Sequence, residues 1–395
     1  MRAAYVCADR GVPIFGMKGC SLHVQDVVRE FLKRGIKVDF FAASKGGSPP
    51  TGLSSRPVYR ITREQTRDRS SREQADLLNN EKIASLLSSK GSYDFVYERY
   101  SLWNHAGMEY AREIGVPGIV EVNAPLIEEQ ARYRGLIDRD AACDAARRCF
   151  AAASCIVAVS EGVADYLQSF PQTRGKVIVV PNGVNPARFR PLAFHQVFSG
   201  PLVTLGFVGT LKPWHGVGQL IEAFRTIHAC YRNTRLLIVG DGPEYAALRE
   251  QSRAAGLENS VVFTGSVSSD RIPDLLSRMD IGIAPYPESD DFYFSPLKVF
   301  EYMAAGLPVV ASRIGQLASI LQHGQTGLLY EAGNQEALVK AISTLVDDGV
   351  FARALGRKAR ETILLDHTWD IRVEKILDAA GVGRTMKLGQ MKRFN

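Results

Sequence analysis

Lys298 and Glu301 stand one helical turn apart in the run SPLKVFEYMAAG, residues 295–306, and their types suit two parts of one ligand. An ammonium at the head of a helix meets an anion such as a diphosphate, while a carboxylate among apolar neighbours needs donors such as ribose hydroxyls. Pro296 has no N–H, and Ser295 has the type of an N-cap that occupies one amide, so Leu297 and Lys298 are left as backbone donors to an anion. The plainer alternative is an i, i+3 pair of Lys298 with Glu301 on a solvated face.

Other residues of the same chemical kind lie in loops after strand-like runs. In GTLKPWHG, residues 209–216, Lys212 supplies a fixed charge and His215 a partial one. In DRGVPIFGMKGCS, residues 9–21, Gly16 and Gly19 let a backbone pass close to a ligand, although a tight turn needs glycine anyway. Asn123 follows the run GIVEV at a strand's carboxyl end, where a site residue belongs; it donates and accepts hydrogen bonds but takes no proton at neutral pH, which argues against a general base. His23 is a lone helical histidine, a type more often packed than catalytic, and is not assigned as a base. The loop GDGPE at 240–244 lacks the third glycine of a dinucleotide fingerprint, since Tyr245 stands there, and Pro243 reads as a helix start.

The elements that must hold these residues follow from hydrophobic pattern. Apolar runs at 3–8, 37–42, 58–61, 95–97, 118–122, 155–159 and 176–180 predict strands, with helices between them, the first over about 22–33 and ending at Gly35. The turn cluster PNGVNP at 181–186 closes this half, and a second series opens at 203–208. That series predicts a helix over 217–228, a strand at 236–239, a helix from Pro243, and a strand at 281–284. The helix with Pro296 at its first position should stop at Gly306, before a strand at 307–311; helices over 334–347 and 350–363 and a last one over 367–380 complete it. Strands alternating with helices predict an α/β chain of two doubly wound, Rossmann-like halves facing across a cleft. The expected domains are 1–190 and 202–366, joined by a linker at 191–201, with 367–395 a last helix and basic tail.

Composition sets the bounds. The chain has 395 residues, 46% hydrophobic and 23% charged, which suffices for two full cores and excludes extensive disorder. Its six cysteines have no C-x-x-C spacing, arguing against a zinc site or a disulfide framework and for a reducing cytoplasm. Neither a signal peptide nor an apolar run long enough to span a bilayer is visible. Residues 1–190 hold 27 Lys/Arg against 21 Asp/Glu, and the remainder holds 21 of each, so the net charge of +6 sits in the first half. That excess could face an anionic membrane peripherally or a phosphorylated acceptor; a solvated surface is the preferred reading, because acids interrupt each basic cluster. Nucleic acid is not expected, for want of a binding motif.

From Phe294 to Ser312 the chain resembles the nucleotide-sugar signature of retaining glycosyltransferases with the GT-B fold, family four in the sequence classification. In that signature two glutamates at the spacing of Tyr293 and Glu301 flank a loop that holds the donor; Glu301 matches the second, which bonds the ribose. Tyr293 stands at the first, Ser295-Pro296 replace the usual Phe-Gly, and Asp290 and Asp291 are nearby substitutes. The segment GCSLHV, residues 19–24, resembles the family's N-terminal glycine motif, with Gly19 at its second glycine, Lys18 at its first, and His23 at the family histidine. Asn123 falls where many relatives carry a histidine contacting donor sugar and acceptor. Around it Arg99, Glu121, Glu128, Glu129, Arg132 and Arg134 could shape an acceptor pocket, surface exposure being the alternative. In loop 209–216 the family's Arg and Lys positions are Thr210 and His215. The Gly-Asp-Gly-Pro-Glu loop, with Gly242, and residues 261–265 with Val267, resembling the strand and turn that read the base through the main chain, are also matched, as is the Gly-x-x-Gly turn at 324–327.

The resemblance implies a cytoplasmic, metal-independent, retaining hexosyltransferase with no cofactor beyond a nucleoside-diphosphate-sugar co-substrate, UDP- or GDP-sugars being favoured. The acceptor would be a glycan, a lipid carrier or a small molecule. Its front-face mechanism needs stabilised charge on the leaving diphosphate and an aligned acceptor hydroxyl. Two alternatives remain: an epimerase of NDP-sugars, which Asn123 disfavours for want of an acid and a base, and a non-catalytic sugar-nucleotide sensor, suggested by the lost glutamate and basic pair.

Overall fold

The structure, a computed structural model, describes residues 1–62, 66, 68–189, 198 and 200–383. The expected linker at 191–201 lies mostly outside these residues, as does the basic tail from 384 onward.

Seven strands form the first sheet: β1 (Arg2–Cys7), β2 (Lys37–Ala42), β3 (Val58–Arg60), β4 (Phe95–Arg99), β5 (Gly118–Val122), β6 (Cys155–Ala158) and β7 (Val177–Val179), in the order β3-β2-β1-β4-β5-β6-β7. Six form the second: β8 (Val203–Val208), β9 (Thr234–Val239), β10 (Val261–Phe263), β11 (Ile281–Ala284), β12 (Val309–Ser312) and β13 (Leu328–Tyr330), in the order β10-β9-β8-β11-β12-β13. Every pairing in both is parallel. Parallel strands are covered by helices on both faces and so read as continuous apolar runs, not as alternation. β5, β6 and β8 are buried at every residue, and β1 at all but its first. Both sheets carry the doubly wound order, in which the strand sequence reverses once, between β1 and β4 and between β8 and β11.

The chain divides into two bodies. One holds Met1–Asn182, Tyr293–Ser295 and the described residues from Trp369 onward; the other holds Gly183–Phe292 and Pro296–Thr368. Each has its own apolar core, with Phe41, Val96 and Phe150 in the first and Phe207, Ile221 and Leu345 in the second.

Some predicted boundaries move, for local reasons. The first helix spans Gly19–Lys33, three residues earlier than its apolar pattern, because Lys18 takes the N-cap place with extended backbone and its carbonyl accepts from Ser21 and Leu22 N–H at 2.9 and 3.0 Å. β12 begins at Val309, since Pro308 has no N–H to enter the ladder, although its carbonyl accepts from Gly282 N–H at 3.0 Å. The helix expected from Pro243 starts at Tyr245, with Glu244 as N-cap. All six cysteines are free thiols. Among the described residues no helix is long and apolar enough to cross a membrane.

Candidate functional site

Where the strand order of an open parallel sheet reverses, the loops leaving neighbouring carboxyl ends diverge and open a crevice for a ligand. In the second sheet those loops are residues 209–216, after β8, and residues 285–296, after β11. Leu211 pins the first loop: its side chain is buried and its N–H donates to the Asp241 carbonyl at 2.9 Å. A short turn over Pro213–His215 then leads to Gly216, whose φ of 66° is left-handed and where a Cβ would lie 1.8 Å from the Pro285 carbonyl oxygen. Only glycine fits there, so the two loops touch through bare backbone.

Lys298 comes from the next element, the helix Leu297–Ala305, which ends at Gly306 as its pattern predicts. Its side chain is buried, and Nζ has no hydrogen-bond partner; it lies 4.1 Å from the ring centre of Phe207 and 5.1 Å from that of Tyr286. Burial pulls the ammonium down to about 7, against a smaller upward pull from Glu301. The solvated-face alternative for Lys298 and Glu301 is thereby excluded. Gly209 leaves room for this cation, since a Cβ there would lie 2.9 Å from Nζ.

His215 corrects an expectation. Its Nδ1 pairs with the Thr210 carbonyl, and its ring packs edge-on to Tyr286. Burial first, then the ammonium of Lys298, drives its pKa to about 3, so the ring is neutral at physiological pH and adds no partial charge. Lys212 is half-buried with Nζ over the Trp214 ring at 5.3 Å, and Thr210 is exposed.

Ser295 corrects another. The helix has Pro296 at its N-cap and no side chain caps it, because Ser295 is engaged elsewhere: its Oγ accepts from Asn182 N–H at 3.0 Å and its carbonyl from Asn182 Nδ2 at 2.8 Å. Leu297, half-buried, is therefore the first helical residue.

Glu301 has a neighbour that the sequence reading passed over. Arg188 Nη1 lies 3.9 Å from Glu301 Oε1, and Arg188 Nη2 donates to the Ser269 carbonyl at 3.0 Å. The signal was a short one, an arginine ending the turn Pro186–Arg188 just past the Asn-Gly-Val segment. Gly242 lies in the loop after β9, where Glu244 N–H reaches the Leu211 carbonyl at 3.3 Å, and Gly240 N–H reaches the Gly265 carbonyl at 3.2 Å, two residues before the half-buried Val267. Among the described residues no group of three or more His, Cys, Asp or Glu is placed to hold a metal ion.

In the first body the polar residues gather on Glu121. Its carboxylate, 2% exposed, lies 2.5 Å from His23 Nε2 and 3.8 Å from Arg99 Nη1, and accepts from the Tyr97 hydroxyl and, at 2.6 Å, from Asn123 Nδ2. Burial raises its pKa, but His23, Arg99 and Tyr97 together outweigh burial and bring it to about 2. Surface exposure fails for Glu121 and Arg99 and holds for Glu128, Arg132 and Arg134. The His23 ring is buried edge-on against Trp369, with centres 4.7 Å apart. Lys18 and Gly19 are exposed at the head of the Gly19–Lys33 helix. Tyr293, at the position of the missing glutamate, donates its hydroxyl to Glu129 Oε1 at 2.8 Å, while its carbonyl accepts from Ser160 Oγ at 2.6 Å. Asp290 and Asp291 are exposed.

Comparison with known proteins places both halves. A glycosyltransferase family 4 model matches residues 17–188, and a glycosyl transferases group 1 model matches residues 203–348. The chain is 30% identical to a glycogen synthase of Mycobacterium tuberculosis over 49% of its own length and 45% of the relative's, so it spans about half of that protein. It is 26% identical to the D-inositol 3-phosphate glycosyltransferase of Acidothermus cellulolyticus over 94% of its length and 85% of the relative's. Among solved structures, Anabaena HepE in complex with UDP and glucose superposes with a TM-score of 0.74 at 21% identity, covering 96% of this chain and 99% of HepE. With both halves matched in the family's order, the chain belongs to the group 1, family 4 glycosyltransferases of the GT-B fold.

Proposed function

We propose that the protein transfers a hexosyl group from a nucleoside diphosphate sugar, UDP- or GDP-linked, to a hydroxyl of a glycan, a lipid carrier or a small molecule, with retention of anomeric configuration. The observation that carries this reading is Lys298, a buried ammonium with no hydrogen-bond partner beside Gly209 in the crevice loop. A buried cation left unpaired is costly, and an anion arriving there recovers that cost. The amides of Leu297 and Lys298 and the ammonium of Lys212 complete a cradle for the diphosphate. Glu301, beside Arg188, receives the ribose hydroxyls, and the main chain around Val267 faces the base. Asn123, Lys18 and His23 belong to the acceptor side.

In the reaction the bond from the anomeric carbon to the diphosphate oxygen breaks, and the acceptor oxygen bonds to that carbon on the same face. The acceptor's proton passes to the departing diphosphate oxygen. The chain's part is to stabilise charge on that leaving group and to align the hydroxyl. That HepE was solved with UDP and glucose supports this donor class.

Thermal-shift titration with UDP, GDP, ADP and their sugars tests the reading. One nucleotide series should stabilise by about 2.7 kcal/mol at a hundredfold excess over its Kd. Lys298→Met should stay folded, lose that shift and lower transfer on the order of 10²- to 10³-fold. An equal shift in the variant sinks the assignment, and an isomerised NDP-sugar formed without acceptor sinks transfer.

A further inference from the structure

The first sheet has a reversal point of its own, and a cavity of about 370 Å³ opens beside it. Its walls are Asp9 and Arg10 after β1, residues 101–104 after β4, and the first turns of the helix Arg69–Ser89, with Arg134 beside them. That volume is at the small end of ligand sites, which run from about 300 to 1,000 Å³, and suits a ligand the size of one sugar ring.

The charges around it are unevenly satisfied. Asp9 Oδ1 accepts from Gly11 N–H at 2.7 Å, and the buried Glu73 accepts from Ile137 and Asp138 N–H at 3.1 and 2.9 Å; Arg10 and Asp76 are engaged as well. Arg69, Arg72 and Arg134 are exposed and, among the described residues, make no ion pair. Deeper in the same wall, Asn79 and Asn104, 8% and 4% exposed, carry side-chain oxygens that accept no hydrogen bond. Three guanidinium groups with no ion pair among the described residues ask for an oxyanion that they can fork, and unmatched amide oxygens ask for hydroxyl donors.

We propose that this cavity binds a phosphorylated polyol as the acceptor: Arg69, Arg72 and Arg134 hold the phosphate, and Asn79 and Asn104 receive hydroxyls. The proposal rests on the transferase reading, which it narrows from any hydroxylated acceptor to an anionic one. The excess of Lys/Arg over Asp/Glu in residues 1–190, 27 against 21, has the matching sign. A free sugar or cyclitol phosphate and a phosphoinositide headgroup present the same chemistry.

The full-length chain should be titrated with glucose 6-phosphate, myo-inositol 1-phosphate and glycerol 3-phosphate, with the unphosphorylated polyols and inorganic phosphate as controls. Phosphatidylinositol vesicles, against phosphatidylcholine vesicles, form a second arm. A polyol phosphate should raise the melting temperature more than its neutral counterpart or phosphate alone. Arg69→Ala/Arg72→Ala, at exposed positions, should weaken that binding on the order of 100-fold and leave the nucleotide shift unchanged. Response only to phosphatidylinositol vesicles, lost in the double variant, assigns the source to lipid. Equal response to neutral polyols, response undiminished in the variant, or no response in either arm overturns the proposal. Loss of the nucleotide shift in the unaltered chain would instead strike the donor reading and leave this binding result standing.

Discussion

Glu121 holds the side chain of Asn123, Nδ2 donating to Oε1 at 2.6 Å, and so leaves Asn123 Oδ1 buried without a partner. The same carboxylate faces His23 and Arg99, so its removal strands polar groups that nothing else in the core satisfies. Glu121→Gln should cost about 3–5 kcal/mol in denaturant unfolding, the range for breaking a buried ion pair. Because its folded pKa of about 2 lies below the ordinary 4.5, this stabilisation is present above pH 4.5 and fades as pH falls toward 2. A cost below about 1 kcal/mol at pH 7 would mean that the cluster is not held by charge.

Lys298 titrates in the opposite sense. Its ammonium is lowered from 10.5 to about 7 by burial, so between those values the unfolded chain binds a proton that the folded chain lacks. Stability should rise across that window in the unaltered chain, and this contribution should vanish in Lys298→Met. If the diphosphate meets this ammonium as proposed, nucleotide binding has to recover the proton, and affinity should fall on the order of tenfold per pH unit above 7. Calorimetry in buffers of different ionisation enthalpy would detect the uptake; its absence at pH 8 would place the phosphate away from Nζ.

Glu98 offers a third titration. It is fully buried, Oε1 accepts from Asn104 Nδ2 at 2.7 Å, and Oε2 has no partner. Burial raises its carboxyl to about 8, against a smaller opposing effect of Asn104. Its contribution is complete below pH 4.5 and is lost as pH rises through 8. Glu98→Gln should therefore flatten the stability profile between pH 5 and 8 and melt higher than the unaltered chain at alkaline pH. A parallel pair of profiles would show that the carboxyl is already ionised.

Arg188 should matter to the donor more than to the fold. It is tied to the Ser269 carbonyl and lies 3.9 Å from Glu301, so Arg188→Ala removes one cationic neighbour of a carboxylate whose proposed task is to meet ribose hydroxyls. With Glu301 no longer positioned by its neighbour, donor KM should rise about tenfold, as for one charge-assisted contact, with a smaller change in kcat. If KM is unmoved while the melting temperature drops, Arg188 is a structural residue only.

The fold was legible because parallel strands buried on both faces leave uninterrupted apolar runs: β2, β5, β8 and β11 begin and end where those runs do. Helix starts were less legible, since a cap depends on partners elsewhere in the chain. Ser295 has the type of an N-cap, yet Asn182, 113 residues earlier, takes its hydroxyl. Protonation was not legible at all. In sequence Lys298 reads as a full cation and His215 as a partial one, and their half-neutral and neutral states come from burial among Phe207 and Tyr286, which β8 and the loop after β11 bring around them. Arg188 escaped for the same reason, its distance to Glu301 being set by two separate stretches of chain.

On the proposed reading, the lysine that lies against Phe207 and Tyr286 ties robustness to activity. A chain that keeps an unanswered ammonium in its interior is under tension while empty and relaxed when loaded, so selection for thermal endurance alone would favour methionine there and produce an inert scaffold. On the same reading, a saturating level of the sugar nucleotide would hold the molecule in its sturdier form, and scarcity would leave it in the weaker one.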